Sequence, residues 1–240
     1  MSARRPAVAG CLRRLGTCAA IFLIGAVAAA PAAGQVAVRG FVQAGLLRFA
    51  AAESFTAITG RPGAAVHGGG GQIGIARLFV QGSIERYAAS GQRVFVFEDR
   101  VFHLGIPNRI TIVPVQVTAG YRMTPRGRWR LAGYGGGGLG AYRFAESAPF
   151  GPRAGDPPQA PADAAVPPLG PPYGDEVRET HRSYHVLGGV EAPLLSWLRL
   201  GGEGQWTWVP GALGEGGAPA AFGQTDLGGL TLRVKLSVGY

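Results

Sequence analysis

The residues of this chain that could do chemistry are few. Of four histidines, His181 and His185 flank Ser183, and all three recur at every second position. On a β-strand, side chains at that spacing share one face. A serine nucleophile needs a histidine base and a third group to orient that base. The nearest acid on the same segment is Glu191, which lies roughly 33 Å from His181 along an extended strand. The simpler reading is a row of polar residues on one side of a strand. No catalytic residue and no enzyme activity are expected. Phosphate loops, metal-ligand clusters and dinucleotide fingerprints are absent from the sequence, and Gly68–Gly71 enters a strand rather than a helix. No cofactor and no metal are therefore expected.

Gly, Pro and polar clusters divide the chain after residue 34 into alternating segments. Such segments are the signature of strands with one apolar and one polar face. Eight are expected: Val36–Phe49, Gly68–Ala76, Leu78–Ala88, Asn108–Arg122, Arg128–Phe144, His181–Glu191, Leu198–Val209 and Thr225–Tyr240. Connections after the second, fourth and sixth are short. The others are long: Ala50–His67, Ala89–Pro107, Ala145–Thr180 and Pro210–Gln224. Sorting of loop length by parity is what an even-stranded up-and-down barrel demands, with short turns at one end and long loops at the other. The fold expected is an all-β, eight-stranded antiparallel transmembrane barrel. Composition alone leaves a soluble β-sandwich open.

Loop Ala145–Thr180 holds nine of the 18 prolines, and proline cannot donate to a strand ladder. In the second long loop, Arg93–Phe97 is rich in strand formers and is expected to extend strand three or form a small hairpin. Pro114 counts against strand four.

Upstream, Arg4, Arg5, Arg13 and Arg14 precede an uncharged apolar run from Leu15 to Ala30, followed by Pro31-Ala-Ala-Gly34. A basic start, a short apolar run and a small-residue exit read as a secretory signal over residues 1–34, with the barrel domain over 35–240; an N-terminal anchor is the other reading. Both cysteines, Cys11 and Cys18, lie in that leader, so no disulfide is expected in the exported part. Without the four leader arginines the net charge falls from +9 to +5. That basicity is dispersed, which argues against a nucleic-acid footprint.

The last segment shows the faces best. Leu230, Leu232, Val234, Leu236, Val238 and Tyr240 alternate with Thr231, Arg233, Lys235, Ser237 and Gly239. Elsewhere, Leu198, Leu200, Trp206 and Trp208 oppose Arg199, Glu203, Gln205 and Thr207. The polar faces assign to the lumen Gln43, Gln81, Glu85, Gln116, Arg130, His185, Glu191, Arg199, Glu203, Gln205, Arg233 and Lys235. An unpaired buried charge is costly, so Glu203 is expected to pair with Arg233 on the adjacent strand. Tyr121, Trp129, Trp197 and Tyr240 at one set of strand ends, and Trp206, Trp208 and Tyr142 at the other, are expected to form interfacial girdles. Eight strands leave an interior that side chains fill, so a wide pore is not expected. The run Gly135–Gly138 reads as curvature or local space.

The segments Arg39-Gly-Phe-Val42, Glu53–Gly60, Thr118-Ala-Gly-Tyr-Arg122, Tyr184–Glu191 and Asp226–Tyr240 resemble the bacterial outer-membrane β-barrel domain family, the small porin-like group related to OmpW and the OmpA membrane domain. The resemblance implies a cell outer-membrane location and outer-membrane lipid and lipopolysaccharide as surroundings. It also implies recognition by the barrel-insertion machinery through the strand ending in Tyr240. The resemblance does not choose an activity, since the group includes structural, adhesive and small-solute-transport members; a structural or surface-interaction role through the long loops, in a monomer, is expected. The group also includes conduits for small, sometimes hydrophobic, solutes. His181-x-Ser183 is similar to outer-membrane lipid A deacylase barrels, although the surrounding residues do not match that group.

Overall fold

Alternation of apolar and polar residues over 11 or more positions leaves the backbone little choice but an extended ladder. In the computed structural model, which describes residues 36–97, 100–123, 131–147, 176–214 and 217–239, that ladder closes on itself. Its elements are β1 (Val36–Phe49), α1 (Ala52–Thr59), β2 (Gly63–Ile75), β3 (Leu78–Phe97), β4 (Arg100–Met123), β5 (Ala132–Ser147), β6 (Glu176–Pro193), β7 (Leu198–Trp208), α2 (Gly217–Ala221) and β8 (Gly229–Gly239). The strands lie in sequence order around one closed barrel. β8 completes it antiparallel to β1, from Arg39 opposite Gly239 to Phe49 opposite Gly229. The expected leader and most of the Pro-rich loop fall outside the described residues.

The faces are inverted relative to a soluble protein. Outward side chains are large and apolar, and they are exposed: Val42 62%, Leu46 67%, Leu139 63%. Inward side chains are polar and buried: Gln81 1%, Gln116 2%, Arg233 4%. Because the side-chain period is two, a one-residue slip would exchange the faces.

Strand boundaries depart from expectation where tertiary pairing overrides local signals. The β2–β3 ladder ends at Val66–Tyr87 and the β4–β5 ladder at Arg109–Ser147. β3 and β4 pair on to Phe97–Arg100, with an irregularity between Gln92 and Val94. The expected loop Ala89–Pro107 is therefore a hairpin standing beyond the barrel wall. Strand-forming residues on both arms, Val94 to Phe97 and Val101 to Leu104, account for it. Pro114 sits buried within β4 opposite Tyr142 without breaking the strand. The β2–β3 turn is tight, with Ala76 at φ 55°. The last strand begins at Gly229 rather than Thr225.

Two helices replace parts of the expected loops 50–67 and 210–224. α1 has only eight residues, too few for a 3.6-residue periodicity to stand out. It ends on Gly60 in the left-handed conformation (φ 76°). Its Phe55 ring stacks on Phe49 (centroids 3.6 Å) and lies edge-on to Tyr87 (6.4 Å). Leu47, Val66, Ile110, Ile112, Tyr142, Val209 and Leu227 join them in an apolar cluster. α1 is tied down by Gln224, whose Oε1 accepts from Ser54 N at 3.0 Å and Ser54 Oγ at 2.8 Å. The loop end of the barrel is thus stoppered by its own chain.

Phe55→Ala should cost the stopper about 3 kcal/mol. Cleavage after Glu53 by a glutamate-specific protease should accelerate on the order of 100-fold while the barrel itself stays folded. Unchanged cleavage would show that the Phe49–Phe55 stack does not hold α1.

Candidate functional site: the polar lumen

Below the apolar stopper, inward positions carry a connected set of charges and amides. Arg233 of β8 is its centre. Its Nη1 donates to Glu85 Oε1 at 2.6 Å, its Nη2 donates to Gln205 Oε1 at 2.6 Å, and its Nε lies 3.5 Å from Glu203 Oε1. Glu85 also accepts from Gln43 at 2.7 Å. Glu203 accepts from the Tyr134 hydroxyl at 2.9 Å and faces Lys235 Nζ at 3.8 Å. Lys235 donates to Gln81 at 2.5 Å, and its ammonium sits 4.0 Å from the Phe41 ring centroid. Gln205 donates to Gln116 at 3.0 Å. Two carboxylates and two cations balance in this tier, as burial requires.

Glycines make room for the larger lumen groups. A Cβ at Gly189 would lie 2.5 Å from Cζ of Tyr134, and one at Gly138 would lie 2.8 Å from the His185 ring. The glycine run of β5 is therefore partly a seat for a neighbouring ring. The same run hides the parity of β5, because four consecutive glycines show no side-chain alternation, and the expected girdle position of Tyr142 fails for that reason. Tyr142 points inward, 2% exposed, in the stopper, and is no girdle residue.

At the short-turn end lies a second cluster. Glu191 Oε1 faces Arg199 Nη1 at 3.1 Å, Arg122 Nη1 at 3.2 Å and Arg39 Nη1 at 3.6 Å. Arg122 Nη2 donates to Gln72 at 3.0 Å. The lumen residues read from sequence thus fall into two groups: Glu85, Gln116, Glu203, Arg233 and Lys235 in the middle, and Glu191 with Arg199 at the end. His185 stands apart, its Nε2 2.7 Å from Thr118 Oγ1. Arg130 lies outside the described residues. Arg39, Gln72 and Tyr134 were missed, although the period that assigned Gln43 also places Arg39 inward.

The Ser–His arrangement does not assemble a relay. Ser183 Oγ is buried without a hydrogen-bond partner among the described residues. His181 Nε2 meets Glu179 at 2.9 Å, and Glu191 is engaged by arginines. Among the described residues no group of acids, histidines or cysteines could hold a metal.

Outward, Tyr121, Trp197, Trp206 and Trp208 are all about two-fifths exposed, and Trp206 and Trp208 lie 6.4 Å apart. Trp129 and Tyr240 lie outside the described residues.

No protein-family model and no curated protein sequence matches the chain. Solved structures similar to it include the N-terminal β-barrel domain of Pseudomonas aeruginosa OprF (10% identity, 86% of this chain and 99% of that one, TM-score 0.43). Neisserial surface protein A is another (11%, 85% and 97%, TM-score 0.45). A third is Ail, the attachment invasion locus protein of Yersinia pestis, in complex with the heparin analogue sucrose octasulfate (9%, 86% and 99%, TM-score 0.42). The architecture of this chain rests on its own closed register.

Glu85→Ala should destabilise the barrel by about 3–5 kcal/mol, because Arg233 is then left short of a counter-charge. Adding Arg233→Leu should recover part of that loss, since the stranded charge goes with it. Denaturant unfolding in micelles measures both; a double variant as unstable as the sum of the singles would refute the coupling.

Proposed function

We propose that this chain is an integral protein of the bacterial outer membrane. Its lumen is closed, and it acts structurally or through surface interactions at its loop end. The observation that carries this reading is the inversion of faces. A closed barrel with a charged interior and a continuous apolar exterior has no stable place in water. In lipid its backbone groups are all paired and no edge is left bare.

The outward cations support an orientation. Arg86 falls level with Val113, between the pairs Ile84–Val115 and Tyr87–Ile112, and is directly opposite His67. Val113 pairs with Arg143, and Arg143 with Thr180, two residues before Arg182. Arg48 lies opposite Leu230, itself opposite Trp206. All these cations are exposed, and they sit at the loop end of the belt, next to Tyr184, Trp206 and Trp208. Such a ring suits the phosphates of lipopolysaccharide in the outer leaflet, with the short turns in the periplasm.

The β3–β4 hairpin then stands clear of the membrane, showing Phe102 and Leu104, each about half exposed. It is the part best placed to meet other surfaces. A conduit for small solutes is less favoured, because the stopper around Phe49, Phe55 and Tyr87 closes the loop end. Insertion would proceed through the C-terminal strand, in a monomer.

In membrane fractions, the unboiled protein should migrate faster than the boiled one and should partition with the outer membrane. Recovery in the soluble periplasmic fraction without a gel shift would refute the reading. Exchanging Arg48, Arg86, Arg143 and Arg182 for Gln should lower stability by about 1 kcal/mol per arginine in lipopolysaccharide-containing bilayers, but not in uncharged micelles. Equal loss in both would exclude the phosphate role.

A further inference from the structure

The cluster at the short-turn end is built differently from the balanced tier above it. Three arginines, Arg39, Arg122 and Arg199, share one carboxylate, and all three present Nη1 to the same atom, Glu191 Oε1. The cluster therefore carries an excess of two positive charges. Arg39 is 9% exposed and Glu191 6%, while the side chains of Arg122 and Arg199 are 15% and 26% exposed, so solvent screens this excess only in part. Burying like charges together is unfavourable unless something else shares the space.

The geometry leaves donors unused. Nε of Arg39 and Nε of Arg122 are both buried without a hydrogen-bond partner among the described residues. Both arginines line a cavity of about 50 Å³, together with Gln72, Phe79, Gly74 and Ala76. A water occupies roughly 10–15 Å³ of such space, so the cavity is sized for a few waters or for one four-oxygen anion. Guanidinium N–H groups are the preferred donors to phosphate oxygens. The site is also incomplete without an acceptor: an unsatisfied buried charged donor is the expensive case.

We propose that the short-turn mouth of the barrel binds a small free oxyanion of the phosphate class between Arg39 and Arg122, with Arg199 supplying long-range charge and Glu191 holding the three guanidinium groups in register. Glu191 acts as the positioning residue. Its Oε1 faces the Nη1 of all three arginines and its Oε2 accepts from Arg122 Nη2 at 3.5 Å, so one carboxylate keeps them converged while compensating only one of their three charges. Gln72 fixes Arg122 from the other side. The site is separate from the outward arginines of the loop end, and it stands on lumen geometry whether or not those arginines meet lipopolysaccharide.

The test is calorimetric titration of inorganic phosphate into the full folded barrel in maltoside micelles, with chloride at matched ionic strength as the comparison. Saturable binding to phosphate alone is expected. Arg39→Gln should weaken it about tenfold or more, and Arg48→Gln, on the outward face, should leave it unchanged. Where Arg39→Gln does not refold, Arg39→Lys keeps the charge but loses the Nε donor, and should also weaken binding. A second arm replaces free phosphate with phosphatidylglycerol doped into the micelles; Arg39-dependent binding there alone would assign the oxyanion to a lipid headgroup and overturn the free-anion proposal. Absence of saturable binding, or equal affinity in the wild type, Arg39→Gln and Arg39→Lys, would overturn the site altogether.

Discussion

The interior of a closed eight-stranded tube is too narrow to be bulk water and too polar here to be an oily core. A charge placed in it is costly unless a counter-charge lies within a few ångströms, and Arg233 shows how this is met in the middle tier. It joins β8 to Glu203 on the neighbouring β7 and reaches across to Glu85 on β3. Each of those carboxylates is then completed by an amide, a phenol or Lys235. This network and the ladder register are one constraint seen twice. A slip of one residue on any participating strand would carry its charge to the apolar outside and strand its partner within.

Much of this was legible because period-two patterning is a local property. β1 has the bounds the alternation gave it, and the faces of β7 and β8 follow their sequence residue by residue. The adjacency of Glu203 and Arg233 could be read for the same reason. The link from Arg233 to Glu85 could not, since nothing local says which strands face each other across a lumen. α1 escaped notice because eight residues make little more than two turns. The inward position of Arg39 is legible from the period-two pattern, since Val38, Gly40 and Val42 alternate with Arg39, Phe41 and Gln43. Tyr142 was illegible because the glycines before it erase the parity.

The lumen is layered rather than uniform. Apolar rings fill the loop end, a charge-balanced amide network fills the middle, and a cationic cluster occupies the short-turn end. A hydrated solute entering from the short-turn side would meet unbalanced positive charge first, then matched charges, and then aromatic packing. The layering therefore separates the two ends of the molecule chemically, and each end can have its own partners.

The seam between β1 and β8 has a kinetic meaning. It joins the two strands most distant in sequence, from Arg39 opposite Gly239 to Phe49 opposite Gly229. Chain-closure entropy makes such pairings late events in folding. Until the seam forms, β1 and β8 are open edges with exposed apolar faces, which are templates for association with other chains. Arg233 meets Glu203 already in the β7–β8 hairpin, but it reaches Glu85 on β3 only when the barrel closes, so Glu85 must remain hydrated until that step. Assembly of this barrel is thus strongly all-or-none, and its slow, aggregation-exposed interval is the wait for a single strand to arrive.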